Sequence, residues 1–204
     1  MARYNSEQME NEAARTVASL MATAARTAPK SGGVDRIKTL VVDGDELELL
    51  AAELEEAGKE NRSKPRPWTN SATLVKKSKC VLLIGINGAE WERPLLNCGA
   101  CGYKDCETMR RKVRRRQGND FVGPTCLFRA LDLGIALGSA VKLASELNAD
   151  NRIFYTIGVA AKRLNVLVSD IVIGIPISIR GKNPYFDLDR QSMVSDGEGE
   201  LGAK

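Results

Sequence analysis

The sequence predicts a mixed fold of helix and sheet, α/β or α+β, with a cysteine-rich loop set into it. Three observations carry that expectation. Segments with apolar residues at helical spacing alternate with short unbroken apolar runs of strand length. The 204 residues are 43% hydrophobic and 27% charged, which suits one domain with a sizeable core. Four of the five cysteines crowd into the stretch from Asn97 to Cys126, between two apolar segments. The expected organisation is a single domain over residues 1–188, a cysteine insertion at 91–126, and a mobile polar tail over 189–204.

The elements follow in order. Ser6 to Arg26 reads as a helix, with Val17, Leu20, Met21 and Ala24 at helical spacing, Ser6 as its cap, and Glu7 and Glu10 favoured by the helix dipole. Thr27–Gly33 ends it. Its glycines, Lys30 and Ser31 suit either a connecting turn or a phosphate-holding loop. Ile37–Val42 reads as a buried strand, and Asp45 with Glu48 resembles a capping box for a helix ending near Gly58. Asn61–Trp68 reads as a loop and Thr69–Lys79 as a short helix. Cys80–Ile86 is a second apolar strand, which makes Cys80 a core thiol. A long apolar helix runs from about Cys126 to Asn148, another from Ile153 to Leu164, and a last strand from Ile171 to Ser178. Pro176 implies an edge position for that strand, or the end of its pairing. Asp132, Ser178 and Lys182 read as structural residues.

Composition removes several chemistries. The chain has no histidine, which excludes Ser-His-Asp and Cys-His catalysis, His-ligated zinc, Rieske centres and His-ligated haem. No catalytic acid, base or nucleophile stands out, so enzyme activity is left open. The polar N-terminus lacks a signal-peptide pattern, and no apolar run reaches the ~18 residues of a membrane span. A cytoplasmic location is expected, where clustered cysteines serve metals or redox chemistry more often than disulfides.

Cys98, Cys101, Cys106 and Cys126 are spaced C-x2-C-x4-C-x19-C, with a glycine after each of the first two. The x2 step brings two sulfurs to one centre with a single turn. Gly99 and Gly102 let the backbone approach a cluster closely. Structural zinc sites of four cysteines usually show two C-x2-4-C pairs, and only one is present here. The pattern therefore favours a [4Fe–4S] cluster, with structural zinc and a metal-free peroxide-sensitive thiol site as alternatives. Four thiolates around an oxidised core of about +2 leave a net of about −2, which nearby cations would stabilise.

This cysteine run resembles the four-cysteine cluster motif of the corrinoid iron–sulfur protein and of electron-transport subunits. With Gly123-Pro-Thr-Cys126, Asp132-Leu-Gly134 and the stretch from Gly174 to Asp187, the chain resembles the "ferredoxin domain-containing" proteins of archaea and anaerobic bacteria. Ala24–Ser31, the strand after it and the closing Gly-Ile-Pro strand are similar to the flavin-dependent nitroreductases. That likeness implies a nitroreductase-like α+β sandwich, a homodimer, and FMN at the subunit interface. The Arg-rich N-terminal phosphate motif of that family is not evident, since only Arg3 precedes Arg15.

Arg110, Arg111, Lys112, Arg114, Arg115 and Arg116 form a dense basic run. Three readings fit it: a solvated helix face, a docking patch for an acidic redox partner, or a nucleic-acid contact. The last is disfavoured, because only Tyr103 and Phe121 lie near to stack on bases. The functional expectation is an iron–sulfur redox protein, either an electron carrier or an oxidoreductase. A non-catalytic zinc module and a nucleic-acid binder are the alternatives.

Overall fold

A computed structural model describes residues 3–60, 66–89 and 95–186. The expected tail at 189–204, the insertion's first residues (91–94) and the 61–65 part of the expected loop lie outside the described residues.

The chain runs α1 (Ser6–Thr27), β1 (Ile37–Asp43), α2 (Asp45–Lys59), α3 (Arg66–Lys76) and β2 (Cys80–Ile86). After the cysteine loop come α4 (Cys106–Lys112), β3 (Arg116–Gln117), β4 (Val122–Gly123) and α5 (Leu127–Glu146). β5 (Asp150–Asn151), α6 (Tyr155–Arg163) and β6 (Ile171–Ser178) follow. Four strands pair antiparallel in the order β1-β2-β6-β5, while β3 and β4 make a separate small hairpin.

β2 explains the layering. All seven of its residues are buried, because helices cover both faces of the sheet at this strand. Cys80, Leu82, Ile84 and Ile86 join the core formed with α1 and α5, while Val81 and Leu83 join α2, α3 and α6. The result is a three-layer sandwich. α1 and α5 each give three alanines to this core (Ala14, Ala18 and Ala25; Ala136, Ala140 and Ala144), small side chains that let the two long helices pack against each other. Each fully buried Leu or Ile in these layers contributes about 1.5–3 kcal/mol relative to exposure.

Four local expectations are corrected. β1 is an edge strand, so only Ile37 and Val42 are buried and Leu40 faces solvent. Asn5, not Ser6, caps α1: its side chain takes the Gln8 N–H while Gln8 returns a bond to the Asn5 N–H. α2 is capped by Gly44 without a side-chain bond, so Asp45 and Glu48 act in its first turn, where the dipole favours them, rather than as a capping box. Finally, the edge position expected from Pro176 is overturned, since β6 is an internal strand with Pro176 opposite Val81. The alternative, an end of pairing there, is met on the β5 side of Pro176. Its neighbour Gly174 exchanges N–H and carbonyl bonds with Phe154, so by the two-residue alternation Pro176 also turns its nitrogen outward. There the ladder is interrupted between Asn151 and Phe154, and no donor is missed.

The Thr27–Gly33 loop is a connecting turn. Lys30 Nζ donates to the carbonyls of Ala25 (2.8 Å), Arg26 (3.0 Å) and Ala28 (2.5 Å), closing the C-terminal end of α1. Asp132, buried on α5, accepts from the Ser31 N–H (2.7 Å) and hydroxyl (2.9 Å) and from Arg129 Nη1 (2.9 Å). Asp132 is thus taken up by contacts within the fold, and Ser178 is fully buried in β6. Lys182 is exposed.

Cys80 is a core thiol. It is completely buried, and its Sγ donates to the Ala14 carbonyl at 3.5 Å. Burial pushes its pKa up to about 12 and also raises that of the Tyr185 phenol, which bonds Ser78 at 2.8 Å. In the unfolded chain these groups ionise near ~8.5 and ~10. Above ~8.5 the unfolded state therefore sheds protons that the folded state keeps, so stability present below that pH falls as pH rises. The urea midpoint is expected to decline from about pH 8.5, with the thiol contributing at most ~1.4 kcal/mol per pH unit. Cys80→Ala should flatten the decline between about pH 8.5 and 10. Identical slopes in the two proteins would contradict this assignment.

Candidate metal centre

Cys98 and Cys101 lie on an irregular loop that begins by residue 95, Cys106 opens α4 at the end of that loop, and Cys126 stands just before α5 as its cap. Local geometry bends this loop tightly. Asn97, Gly99 and Gly102 have φ of 49°, 75° and 82°, and the Gly102 N–H closes a turn on the Gly99 carbonyl at 2.9 Å. The two glycines after cysteines are thus needed for the backbone conformation of the loop.

Asn97 wraps Cys106. Its side-chain oxygen accepts the Cys106 N–H at 2.9 Å, and its own N–H donates to the Cys106 sulfur at 3.3 Å. Asp105 caps α4 by accepting the Thr108 N–H at 2.6 Å, and that bond holds its carboxyl below the ordinary pKa. Neither residue was singled out in the sequence. Asp105, an Asp just before a short charged helix, carried a legible N-cap signal.

Cys126 is placed by backbone. Its N–H donates to the Gly88 carbonyl at 2.9 Å, just beyond β2, and its carbonyl accepts from Arg129 and Ala130 to begin α5. Gly88 is held in turn: its N–H donates to Asp170 Oδ2 at 2.7 Å, and a Cβ at Gly88 would lie 2.5 Å from Thr125 Oγ1. Arg115 Nη1 reaches the same Asp170 oxygen at 2.5 Å, and Nη2 reaches the Val122 carbonyl at 3.3 Å. Asp170, beside the first residue of β6, therefore fastens Gly88 and the β3–β4 hairpin together.

All four thiols are free, Cys98 exposed and the other three half-buried. Among the described residues no three Cys, Asp or Glu side chains converge closely enough to hold a metal ion. The chemistry of the donors nevertheless fits an iron–sulfur group: four unpaired soft ligands, no histidine, and a backbone N–H already directed at one sulfur.

The basic run is not one helix face. α4 ends at Lys112, Arg114 and Arg115 follow in coil, and Arg116 begins β3. Arg115 is partly buried in its ion pair with Asp170, whereas Arg110, Arg111, Lys112, Arg114 and Arg116 are exposed. Phe121 packs edge-on against Tyr155, with ring centroids 5.5 Å apart.

Comparisons with known proteins reach both cysteine-bearing segments. A family model described as "Putative Fe-S cluster" matches residues 94–119, which include Cys98, Cys101 and Cys106. A second, "Uncharacterized protein containing a ferredoxin domain (DUF2148)", matches residues 122–188, which include Cys126. A protein of Archaeoglobus fulgidus is 45% identical over 184 residues, covering 90% of this chain and 96% of its own. Among solved structures, nitroreductase A of Vibrio parahaemolyticus superposes with a TM-score of 0.51 at 14% identity, covering 93% of this chain and 68% of its own. A nitroreductase with bound FMN from Desulfitobacterium hafniense gives 0.50 at 15% identity, covering 86% and 84%. At such identity these two show the fold, a nitroreductase-like α+β sandwich. Among the described residues no helix is long and apolar enough to cross a membrane. The family matches support an iron–sulfur redox role. With close to half its residues shared along nearly the whole archaeal relative, and both family models falling on its cysteine half, the chain belongs to the DUF2148 family of ferredoxin-domain proteins.

Proposed function

We propose that this chain is a cytoplasmic electron-transfer protein in which Cys98, Cys101, Cys106 and Cys126 hold one [4Fe–4S] cluster. The observation that carries the reading is the donor set: four free thiols, one of them already accepting a backbone N–H. When bound, such a cluster takes up and releases single electrons at a potential tuned by N–H donors and exposure. The chain's own residues orient the ligands. Asn97 and Asp105 fix the backbone at Cys106, and Gly88, held by Asp170, fixes it at Cys126. The insertion 91–126 is the working part and the rest of the 1–188 domain its support. In the cytoplasm its thiols stay reduced and able to ligate.

A second reading makes the chain an FMN-bearing oxidoreductase dimer. It is favoured by the scaffold shared with the FMN-bound nitroreductase and by one exposed apolar face of α5. Leu127, Leu131 and Ile135 are 45%, 48% and 45% exposed there. A Cβ added at Gly134 or Gly138 would meet nothing within 4 Å. A second copy would cover that face.

Anaerobic purification with metal and sulfide analysis tests the first reading. Roughly four irons and four labile sulfides per chain, and a visible band that bleaches with dithionite, are expected. Zinc without sulfide would establish a structural site instead. FMN retained through gel filtration by a dimer would establish the second reading alongside the first.

A further inference from the structure

Between Lys104 and Arg116 the sequence holds seven cations against two carboxylates, Asp105 and Glu107. That local excess is larger than the +4 net charge of the whole chain, so the remainder is close to neutral. The positive charge is therefore gathered into one segment. The structure sorts its members by task. Arg115 is occupied by Asp170 and the Val122 carbonyl, while Lys104, Arg110, Arg111, Lys112, Arg114 and Arg116 face solvent. Among the described residues Arg110 and Arg111 pair with half-buried Glu107 on their own helix, a contact at the surface that solvent screens.

We infer that these six exposed cations form the docking surface for an acidic electron-carrier protein, which rests on the electron-transfer reading above. Position supports this. Cys106 opens α4 and Arg110–Lys112 close it, so the cations stand only about 6–9 Å along the axis from that cysteine. The loop before α4 leaves Cys98 exposed on the same segment. A partner drawn to the cations is thus brought beside the cysteine loop, and complementary charge speeds its arrival and sets its register.

Nucleic acid fits the same charge less well. Two carboxylates interrupt the segment. α4 has seven residues, too few to lie along a groove as a recognition helix does. Phe121 is packed on Tyr155 rather than open to stack on a base.

The test measures binding, so it does not depend on turnover. The full-length protein, purified anaerobically with its metal, is titrated with a purified acidic flavodoxin at low and at raised salt. Arg110→Gln/Arg111→Gln/Lys112→Gln is compared with Arg15→Gln/Lys59→Gln/Lys76→Gln, which removes the same charge from α1, α2 and α3. The first triple variant is expected to bind about tenfold more weakly or worse at low salt, within the range that electrostatic steering covers, and to lose most of its salt dependence. The second should match the parent. Equal weakening in both variants would overturn the proposal, as would tighter binding of a generic DNA duplex than of flavodoxin in the same buffer. Iron and sulfide content is measured in each sample. A parent that carries full iron and does not bind flavodoxin overturns only this inference, whereas absence of iron and sulfide from the parent overturns the electron-transfer reading itself.

Discussion

Replacing Cys126 with alanine is expected to remove most of the iron and sulfide from anaerobically loaded protein while leaving the fold in place. The two effects separate because the position is held by its backbone. The N–H bond to Gly88 and the carbonyl bonds to Arg129 and Ala130 survive the substitution. Cys126 makes no side-chain bond as the cap of α5, so alanine does not incur the ~0.5–2 kcal/mol lost with a bonding cap. Half-buried at the helix start, the thiol also leaves no core cavity. The metal-free variant should unfold within about 0.5 kcal/mol of the metal-free parent. Cys80→Ala is the reciprocal case: it should keep all of the metal and lose stability, since it empties a site in the α1–α5 layer. Full iron and sulfide content in Cys126→Ala would remove that residue from the ligand set.

Gly158→Ala is expected to cost about 3 kcal/mol or more, enough to unfold much of a marginal domain. α6 rests directly on β6 at this point. A Cβ at Gly158 would lie 1.8 Å from the Val172 carbonyl oxygen and 2.6 Å from the Ile173 Cα, and backbone cannot rotate away as a side-chain tip can. The contact is reciprocal, since Gly174 on β6 accepts the Ile157 side chain, whose Cγ2 would be 2.3 Å from an added Cβ. The gain in helix propensity on replacing glycine with alanine, about 1 kcal/mol, does not offset this. Gly134→Ala on α5 is the control, because nothing lies near it within the protomer. There the propensity gain should appear undiminished, up to ~1 kcal/mol. Urea unfolding of the two variants in parallel gives the comparison, and a Gly158→Ala midpoint equal to the parent's would show that α6 is not seated against β6 as described.

What could be seen in the sequence follows the distance over which each feature is encoded. β2 was legible because a strand covered on both faces must be apolar throughout, and Cys80–Ile86 is. α5 was legible from its long run of apolar and small residues. β1 looked equally buried, yet Lys38 inside it, on the face it shares with exposed Leu40, already marked a strand partly open to water. The candidate ligands stood out because three of them lie within nine residues, so local spacing alone groups them. Their supports did not. Asp170 meets Gly88 across 82 residues and Arg115 across 55, and no local pattern announces such a meeting. The basic run was legible as charge and not as shape: a solvated helix face was one of its readings, but the chain leaves α4 at Val113 and sends Arg115 inward. Gly158 is a single glycine within an apolar helix, a sign of close backbone approach whose partner only the fold identifies.

Pro176 has a further effect on how the molecule behaves in a crowd. Among the described residues the outer side of β6 is paired by two residues of β5 and by the bridge at Phe154. A long, regular strand at that margin would present a ladder of vacant donors and acceptors to any neighbouring chain, the usual starting point for sheet-to-sheet aggregation. Here the middle position of the margin is a proline with no hydrogen to give, and the adjacent Arg152 is exposed, its guanidinium lying over the rings of Phe154 and Phe186. The strand that completes the inner core is therefore a poor template for strand addition on its outer side. That protection belongs to the folded monomer and needs no partner to cover the edge.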